Sequence, residues 1–183
     1  MKILVTGGSG FLASHISDRL SIDGHIVKIL DKKISIYKNS NQKFLLGDIN
    51  DRDFVINSLK NIDIVYHFAA FADINKAKEN PIDTIKTNVL GTLNILEGCR
   101  INKIKRIIFA SSVYINSNSG SFYRVSKHTC ELLIEEYFRC FKLDFTILRF
   151  GTLYGTRADD SNSVKNYILQ GLKNKKIVMA GTG

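Results

Sequence analysis

Hydrophobic positions along the chain follow two patterns that alternate. Short, largely apolar runs rich in β-branched residues recur at Ile3–Val5, Ile26–Leu30, Phe44–Leu46, Ile64–Tyr66, Ile107–Ala110 and Phe145–Leu148. They lack the polar alternation of a half-exposed strand and so predict parallel strands covered on both faces. Between them, apolar residues return at helical spacing. One stripe is Leu12, Ile16 and Leu20. A second is Ile82, Ile85, Val89, Leu93 and Leu96, on a long helix opening near Pro81, and a third is Cys130, Leu133, Tyr137 and Phe141. This succession predicts an α/β fold, a doubly wound parallel sheet with right-handed crossovers. Further on, Val164–Leu172 reads as a helix and Lys176–Ala180 as one more short strand. The end, Gly181-Thr182-Gly183, reads as a turn, as expected of a truncated chain.

With 183 residues the chain suits one domain or slightly more and buries roughly 70% of its unfolded surface. Hydrophobic residues make up 44%, which excludes a disordered chain. No apolar run approaches the ~20 residues that span a bilayer. Met1 leads straight into a core strand with no leader segment, so a cytoplasmic protein is expected. Neither Cys99, Cys130 and Cys140 nor His15, His25, His67 and His128 show metal-ligand spacing; free thiols and no metal site are expected. The formal net charge is +9, but the lysines are scattered, with small clusters at Lys32-Lys33 and within residues 173–176. No basic helix interleaved with aromatics appears. The charge therefore points to no nucleic acid and no membrane, and at most steers an anionic ligand.

Two stretches carry chemistry. The first strand runs into Thr6-Gly7-Gly8-Ser9-Gly10-Phe11-Leu12-Ala13, which opens a helix. In that context Gly7 makes the sharp turn, Gly10 lets the backbone approach a pyrophosphate, and Ala13 permits close helix–strand packing. The helix N-terminus offers its free N–H groups to the phosphates. Asp31 ends the second strand 21 residues beyond Gly10, where a carboxylate accepts from both adenosine ribose hydroxyls and repels a 2′-phosphate. That favours NAD over NADP, although Lys32 and Lys33 follow directly and have the charge to neutralise such a phosphate. Asp48, in Gly47-Asp48-Ile49, is either an acceptor for the adenine amino group or a turn and cap residue. The second stretch is Tyr123-Arg124-Val125-Ser126-Lys127, which sets a phenol and an ammonium one helical turn apart on one face. A nearby Lys⁺ and a positive nicotinamide ring favour the phenolate, which then acts as a general base. Ser112 lies upstream, at the carboxyl end of a strand, where open α/β sheets bind ligands.

These motifs resemble the extended short-chain dehydrogenase/reductases, particularly the NAD-dependent epimerase/dehydratase family. TGGSGFLA resembles the TGxxGFxG segment, with Ala13 in place of the third glycine, and Gly47-Asp48-Ile49 resembles the adenine-binding segment. His67-Phe68-Ala69-Ala70 resembles the HxAA segment lining the cofactor cleft. Asn88-Val89-Leu90-Gly91-Thr92 resembles NxxGT, whose asparagine lies near the cofactor. Arg149 to Gly155 resembles RxxNxYG, with Thr152 where asparagine is expected. The resemblance implies a Rossmann domain over residues 1–150 and the start of an incomplete substrate-binding region over 151–183. It implies NAD as cofactor, held by Gly7, Gly10, Phe11, Leu12, Asp31, Asp48, Ile49, Phe68, Ala69, Ala70, Asn88, Tyr123 and Lys127. It further implies Tyr123, Lys127 and Ser112 as catalytic residues, with Lys127 lowering the pKa of Tyr123, and epimerisation of a nucleotide-diphosphate sugar, at C4, through a transient keto-sugar. Val113 and Tyr114 follow Ser112 where dehydratases of the family carry acidic residues. The alternatives are a reductase or dehydratase of the same family and a non-catalytic NAD-binding relative. By the same resemblance the helices near 82–99 and 123–141 pair with a second subunit as a four-helix bundle. His67 is either an acid or, preferred, a satisfied histidine at a strand end.

Overall fold

The computed structural model describes residues 1–178 except 38 and 161. Six strands, β1 (Lys2–Thr6), β2 (Ile26–Asp31), β3 (Gln42–Leu46), β4 (Ile64–His67), β5 (Arg106–Ser112) and β6 (Asp144–Phe150), form one sheet in the order β3-β2-β1-β4-β5-β6. Every pairing is parallel. The helices are α1 (Phe11–Ile22), α2 (Arg52–Ser58), α3 (Ile74–Glu79), α4 (Pro81–Ile85), α5 (Gly91–Ile101), α6 (Ser121–Phe141) and α7 (Ser163–Asn174). The doubly wound α/β expectation stands, and each predicted strand up to residue 150 lies inside an observed one. The chain divides into two compact units, Met1–Gly151 and Thr152–Gly183.

In the first unit, side-chain alternation sorts the strand residues between two cores. Leu4, Leu30, Val65, Ile107 and Phe109 pack with Val55 of α2, Ile95, Leu96 and Cys99 of α5, and Cys130, Ile134 and Tyr137 of α6. Ile3, Val5, Val27 and Ile29 pack with Ala13 and Leu20 of α1 on the other face. Strands covered on both sides have no polar face to show, which is why they read as continuous apolar runs. The strand order reverses direction at β1, so the carboxyl ends of β1 and β4 flank the crevice in which sheets of this kind bind ligands.

Two expectations are corrected. The long helix predicted from Pro81 is interrupted: α4 and α5 are joined by a π-helical turn, Lys86–Leu90. Such a turn inserts an extra residue into the winding and is frequent at functional sites. In the second unit α7 is present, capped by the Asn162 side chain, which accepts from the Lys165 N–H at 3.0 Å. Residues 176–178, however, are not in a strand, and the rest of the strand predicted at Lys176–Ala180 lies outside the described residues.

Candidate active site

β1 delivers the chain into the glycine turn. Gly7 has φ +72°, and a Cβ there would meet the Ala69 nitrogen at 2.7 Å and the Ala69 Cα at 2.8 Å. Glycine is required on both counts. At Gly10 a Cβ would approach only the Gly7 carbonyl oxygen, at 3.1 Å. α1 then opens with no side-chain cap and no acidic residue in its first turn. By contrast α2, α3 and α7 are capped by Asp51, Asp73 and Asn162. The uncapped N–H groups and the dipole of α1 fit an anion. Phe11 and Leu12 are half-buried beside this turn, and Ala13 is buried against the sheet.

Asp31 stands at the carboxyl end of β2. It accepts the Ser9 N–H at 3.0 Å and the Lys33 N–H at 3.0 Å, one on each oxygen, and the Ser9 hydroxyl donates to the Lys33 carbonyl. The carboxylate thus stitches the glycine turn to the next loop and keeps lone pairs for a ribose diol. Asp48 is engaged within its own loop. Desolvation is opposed by hydrogen bonds from the Asn50 N–H at 2.9 Å and Nδ2 at 3.1 Å and by the Lys32 ammonium at 2.9 Å, which together hold the carboxyl below its usual range. Asp48 thus has an ionic partner beside its turn, and that partner is one of the two lysines that weaken the choice of NAD over NADP. The Ile49 side chain is buried in the core against Gly91, so only its backbone is left to face a ligand.

Across the crevice, β4 leads into Phe68, Ala69 and Ala70, all half-buried. Their loop is clamped. The Ala69 N–H donates to Thr6 Oγ1 at 3.2 Å, and Phe71 is held by the Asn88 amide, which accepts its N–H at 2.6 Å and donates to its carbonyl at 3.2 Å. Asn88 sits in the π-helical turn, 1% exposed, and its Nδ2 also donates to Ser126 Oγ of α6 at 2.8 Å. Both amide hydrogens are spent inside the protein, so Asn88 braces the loop rather than offering donors to a cofactor. His67 is fully buried between Thr6 Oγ1, at 2.6 Å from Nδ1, and Thr92 Oγ1, at 2.9 Å from Nε2. Burial, and then the charge of Lys127, push its pKa down to about 3. It is the satisfied, neutral histidine of the preferred reading.

The three residues expected to react come together at the β5–α6 junction. Ser112 caps a 3₁₀ turn (Val113–Asn116), its Oγ accepting the Tyr114 N–H at 3.3 Å. It also lies near enough to the Tyr123 phenol to favour its ionised form. Lys127 is 3% exposed, donates from Nζ to the Ala110 carbonyl at 2.7 Å and lies 4.7 Å from the Phe109 ring centroid. Two ammonium hydrogens remain for a ligand. The expected electrostatics need correction. Burial raises the Tyr123 pKa, the nearby Ser112 hydroxyl only partly offsets this, and the neighbouring Tyr114 raises it further. Lys127, 5.8 Å from the Tyr123 ring centroid, is itself lowered to about 8 by burial. The chain alone therefore holds the phenol protonated at neutral pH.

Sequence reasoning passed over Thr6, Thr92 and Ser126, which tie these pieces together. Thr6 and Thr92 lay inside quoted motifs, but hydroxyls carry no periodic signal. Among the described residues no group of three or more His, Cys, Asp or Glu side chains is placed to hold a metal ion, and no helix is long and apolar enough to cross a membrane.

Known proteins share this arrangement. A relative from Methanocaldococcus jannaschii, whose name proposes UDP-glucose 4-epimerase activity, is 36% identical over 99% of this chain and 66% of its own length. The dTDP-D-glucose 4,6-dehydratase of Dictyostelium discoideum is 31% identical over the whole chain, which spans 50% of that protein. Among solved structures, the UDP-glucose 4-epimerase of Thermotoga maritima, determined with UDP-glucose, superposes with a TM-score of 0.91 at 29% identity, over 100% of this chain and 67% of that one. The chain thus spans between half and two-thirds of the length of these proteins. The family model for NAD dependent epimerases and dehydratases matches residues 3–183, and the chain, with its glycine turn, strand-end aspartate and Ser–Tyr–Lys cluster, belongs to that family.

Proposed function

We propose that this chain binds NAD⁺ across its strand ends and carries the reactive residues of a nucleotide-sugar epimerase acting at C4. The supporting observation is that Ser112 ends β5 while Tyr123 and Lys127, one helical turn apart on α6, meet it there, Lys127 anchored on the Ala110 carbonyl at 2.7 Å and 5.8 Å from the Tyr123 ring centroid. That end lies two strands from Gly7, roughly 10 Å across the sheet. A bound NAD⁺ would supply reversible hydride acceptance and a positively charged ring, the charge that the buried phenol lacks. Tyr123 Oη accepts the proton of the sugar hydroxyl and gives it back once the keto-sugar has turned its other face. Ser112 Oγ holds the same sugar oxygen. Lys127, anchored on the Ala110 carbonyl, uses its remaining hydrogens on the nicotinamide ribose. Asp31 takes the adenosine ribose, and the α1 N-terminus takes the diphosphate. The residues after Ser112, Val113 and Tyr114, provide no carboxylate for eliminating water, which favours epimerase over dehydratase. A cytoplasmic setting is proposed, in keeping with three cysteines that form no disulfide among the described residues.

The test is Tyr123→Phe, with UDP-glucose and UDP-galactose as the first substrates tried. NAD⁺ affinity stays within about twofold, while turnover falls by about 10²–10⁴. Near-normal turnover ends the reading. A reductase, the second reading, consumes reduced cofactor in proportion to product, whereas an epimerase shows no net change.

A second copy of the chain is the proposed partner. Ile82 and Leu90, beside α4, are 81% and 51% exposed, and Leu132 and Phe138 of α6 are 56% and 42% exposed. Pro81, Ile82, Ile85, Lys86 and Leu90 line an apolar groove. Paired across a two-fold axis, these faces give the four-helix bundle. Leu132→Glu converts the dimer to a monomer by sedimentation while leaving the circular dichroism spectrum unchanged; an unchanged mass excludes this interface.

A further inference from the structure

Thr6, His67 and Phe109 are in-register neighbours on β1, β4 and β5. The hydrogen bonds around His67 fix the direction of every proton. Thr92 Oγ1 donates its proton to the Asn88 carbonyl, so toward the imidazole it only accepts. Nε2 therefore carries the ring hydrogen, donated to Thr92 Oγ1 at 2.9 Å. Nδ1 is then the acceptor and receives the Thr6 hydroxyl proton at 2.6 Å. Thr6 Oγ1 in turn accepts the Ala69 N–H at 3.2 Å. Each hydroxyl proton is used once, and the chain runs without a break from the strand-end loop to the π-helical turn. Both of its ends bear on the same loop. Thr6 holds Ala69, and Asn88, whose carbonyl receives the far end, holds Phe71 through both backbone groups. Asn88 also bonds Ser126, whose hydroxyl donates to the Tyr123 carbonyl at 2.8 Å. The backbone of Phe68 and Ala69, against which Gly7 is packed, stands between the two grips.

We propose that the Thr6–His67–Thr92 chain is a positioning device for the cofactor site: it sets the wall behind the glycine turn at a fixed distance from the helix that carries Tyr123. The proposal rests on the NAD⁺ reading of that site. His67 and the two threonines touch neither cofactor nor substrate; they act through Ala69 and Asn88. The imidazole serves here because it alone spans two hydroxyls with one donor and one acceptor on opposite sides of a rigid ring.

The experiment uses Thr6→Val, Thr92→Val, the double variant and the conservative Thr92→Ser, each at a temperature where circular dichroism shows it folded. NAD⁺ is titrated by calorimetry. Breaking the chain at either threonine leaves a buried partner unsatisfied and weakens NAD⁺ binding about tenfold. Thr92→Ser stays within about twofold. The double variant is no more than about twofold worse than the weaker single, because one chain is broken only once. Single variants that merely melt earlier and bind NAD⁺ normally overturn the proposal, as do single effects that multiply. A second measurement needs no ligand: hydrogen exchange at the Ala69 amide, which touches Thr6 and not Thr92, speeds up about tenfold in Thr92→Val. Unchanged exchange overturns the positioning role. Failure of the unaltered protein to bind NAD⁺, with the exchange effect intact, instead sinks the cofactor reading and leaves the mechanical coupling standing.

Discussion

The two sides of the crevice are built by opposite means. On the β2–β3 side, charged groups remain near water. The Lys32–Asp48 pair is 53% and 40% exposed, and Asp31 works by accepting backbone N–H groups. On the β4–β5 side His67, Asn88, Ser112 and Lys127 are all at least 95% buried, with exposures of 0%, 1%, 5% and 3%. The first side is shaped by backbone conformation and tolerates charge cheaply. The second stores cost, because a buried ionisable group resists taking or keeping its charge.

That contrast is sharpest for His67. Its folded pKa is depressed to about 3 by burial and then by Lys127, while the unfolded imidazole takes a proton near 6.5. Below about pH 6.5 the unfolded chain binds the extra proton, so stability is lost as pH falls through this window, by up to about 5 kcal/mol. Urea melts between about pH 7 and pH 4 follow this loss, and His67→Gln flattens it. Equal slopes in the two proteins erase the contrast. Lys127 acts at the other end of the scale. Its folded pKa is lowered to about 8 and the unfolded side chain keeps its proton to about 10.5. Between these values the unfolded state again binds more protons, so stability rises with pH, by about 3 kcal/mol. Lys127→Met lacks the rise. The smallest effect belongs to the exposed side: Lys32→Ala costs under about 1 kcal/mol, measured by the same melts. A larger loss there means that the two sides are not as different as their burial suggests.

Legibility in the sequence follows the same division. The strands, the glycine turn and the Tyr–Lys pair are readable, because each rests on local sequence: continuous apolar runs, a glycine at the positive φ of position 7, one helical turn between Tyr123 and Lys127. What escaped was contact between distant segments. The local sequence leaves Asp48 open between an adenine acceptor and a turn residue, because nothing in it places the Lys32 ammonium beside the carboxylate. Ile49 shares a motif with Asp48, yet its side chain packs into the core against Gly91. The phenol's neighbour in sequence space, Lys127, suggested a lowered pKa, but burial of both groups outweighs an ammonium 5.8 Å from the ring. α2 and α3, with 7 and 6 residues, are too short to impose an apolar period.

The π-helical turn at Lys86–Leu90 has a last consequence. One surplus residue shifts the angular phase of everything after it by about a quarter of a circle. Ile82 before the turn looks outward, 81% exposed, while Ile95, Leu96 and Cys99 after it are sealed at 0%. One helical path thereby serves two masters: its leading segment presents apolar side chains outward, and its trailing segment is committed to the core it shares with the sheet, α2 and α6.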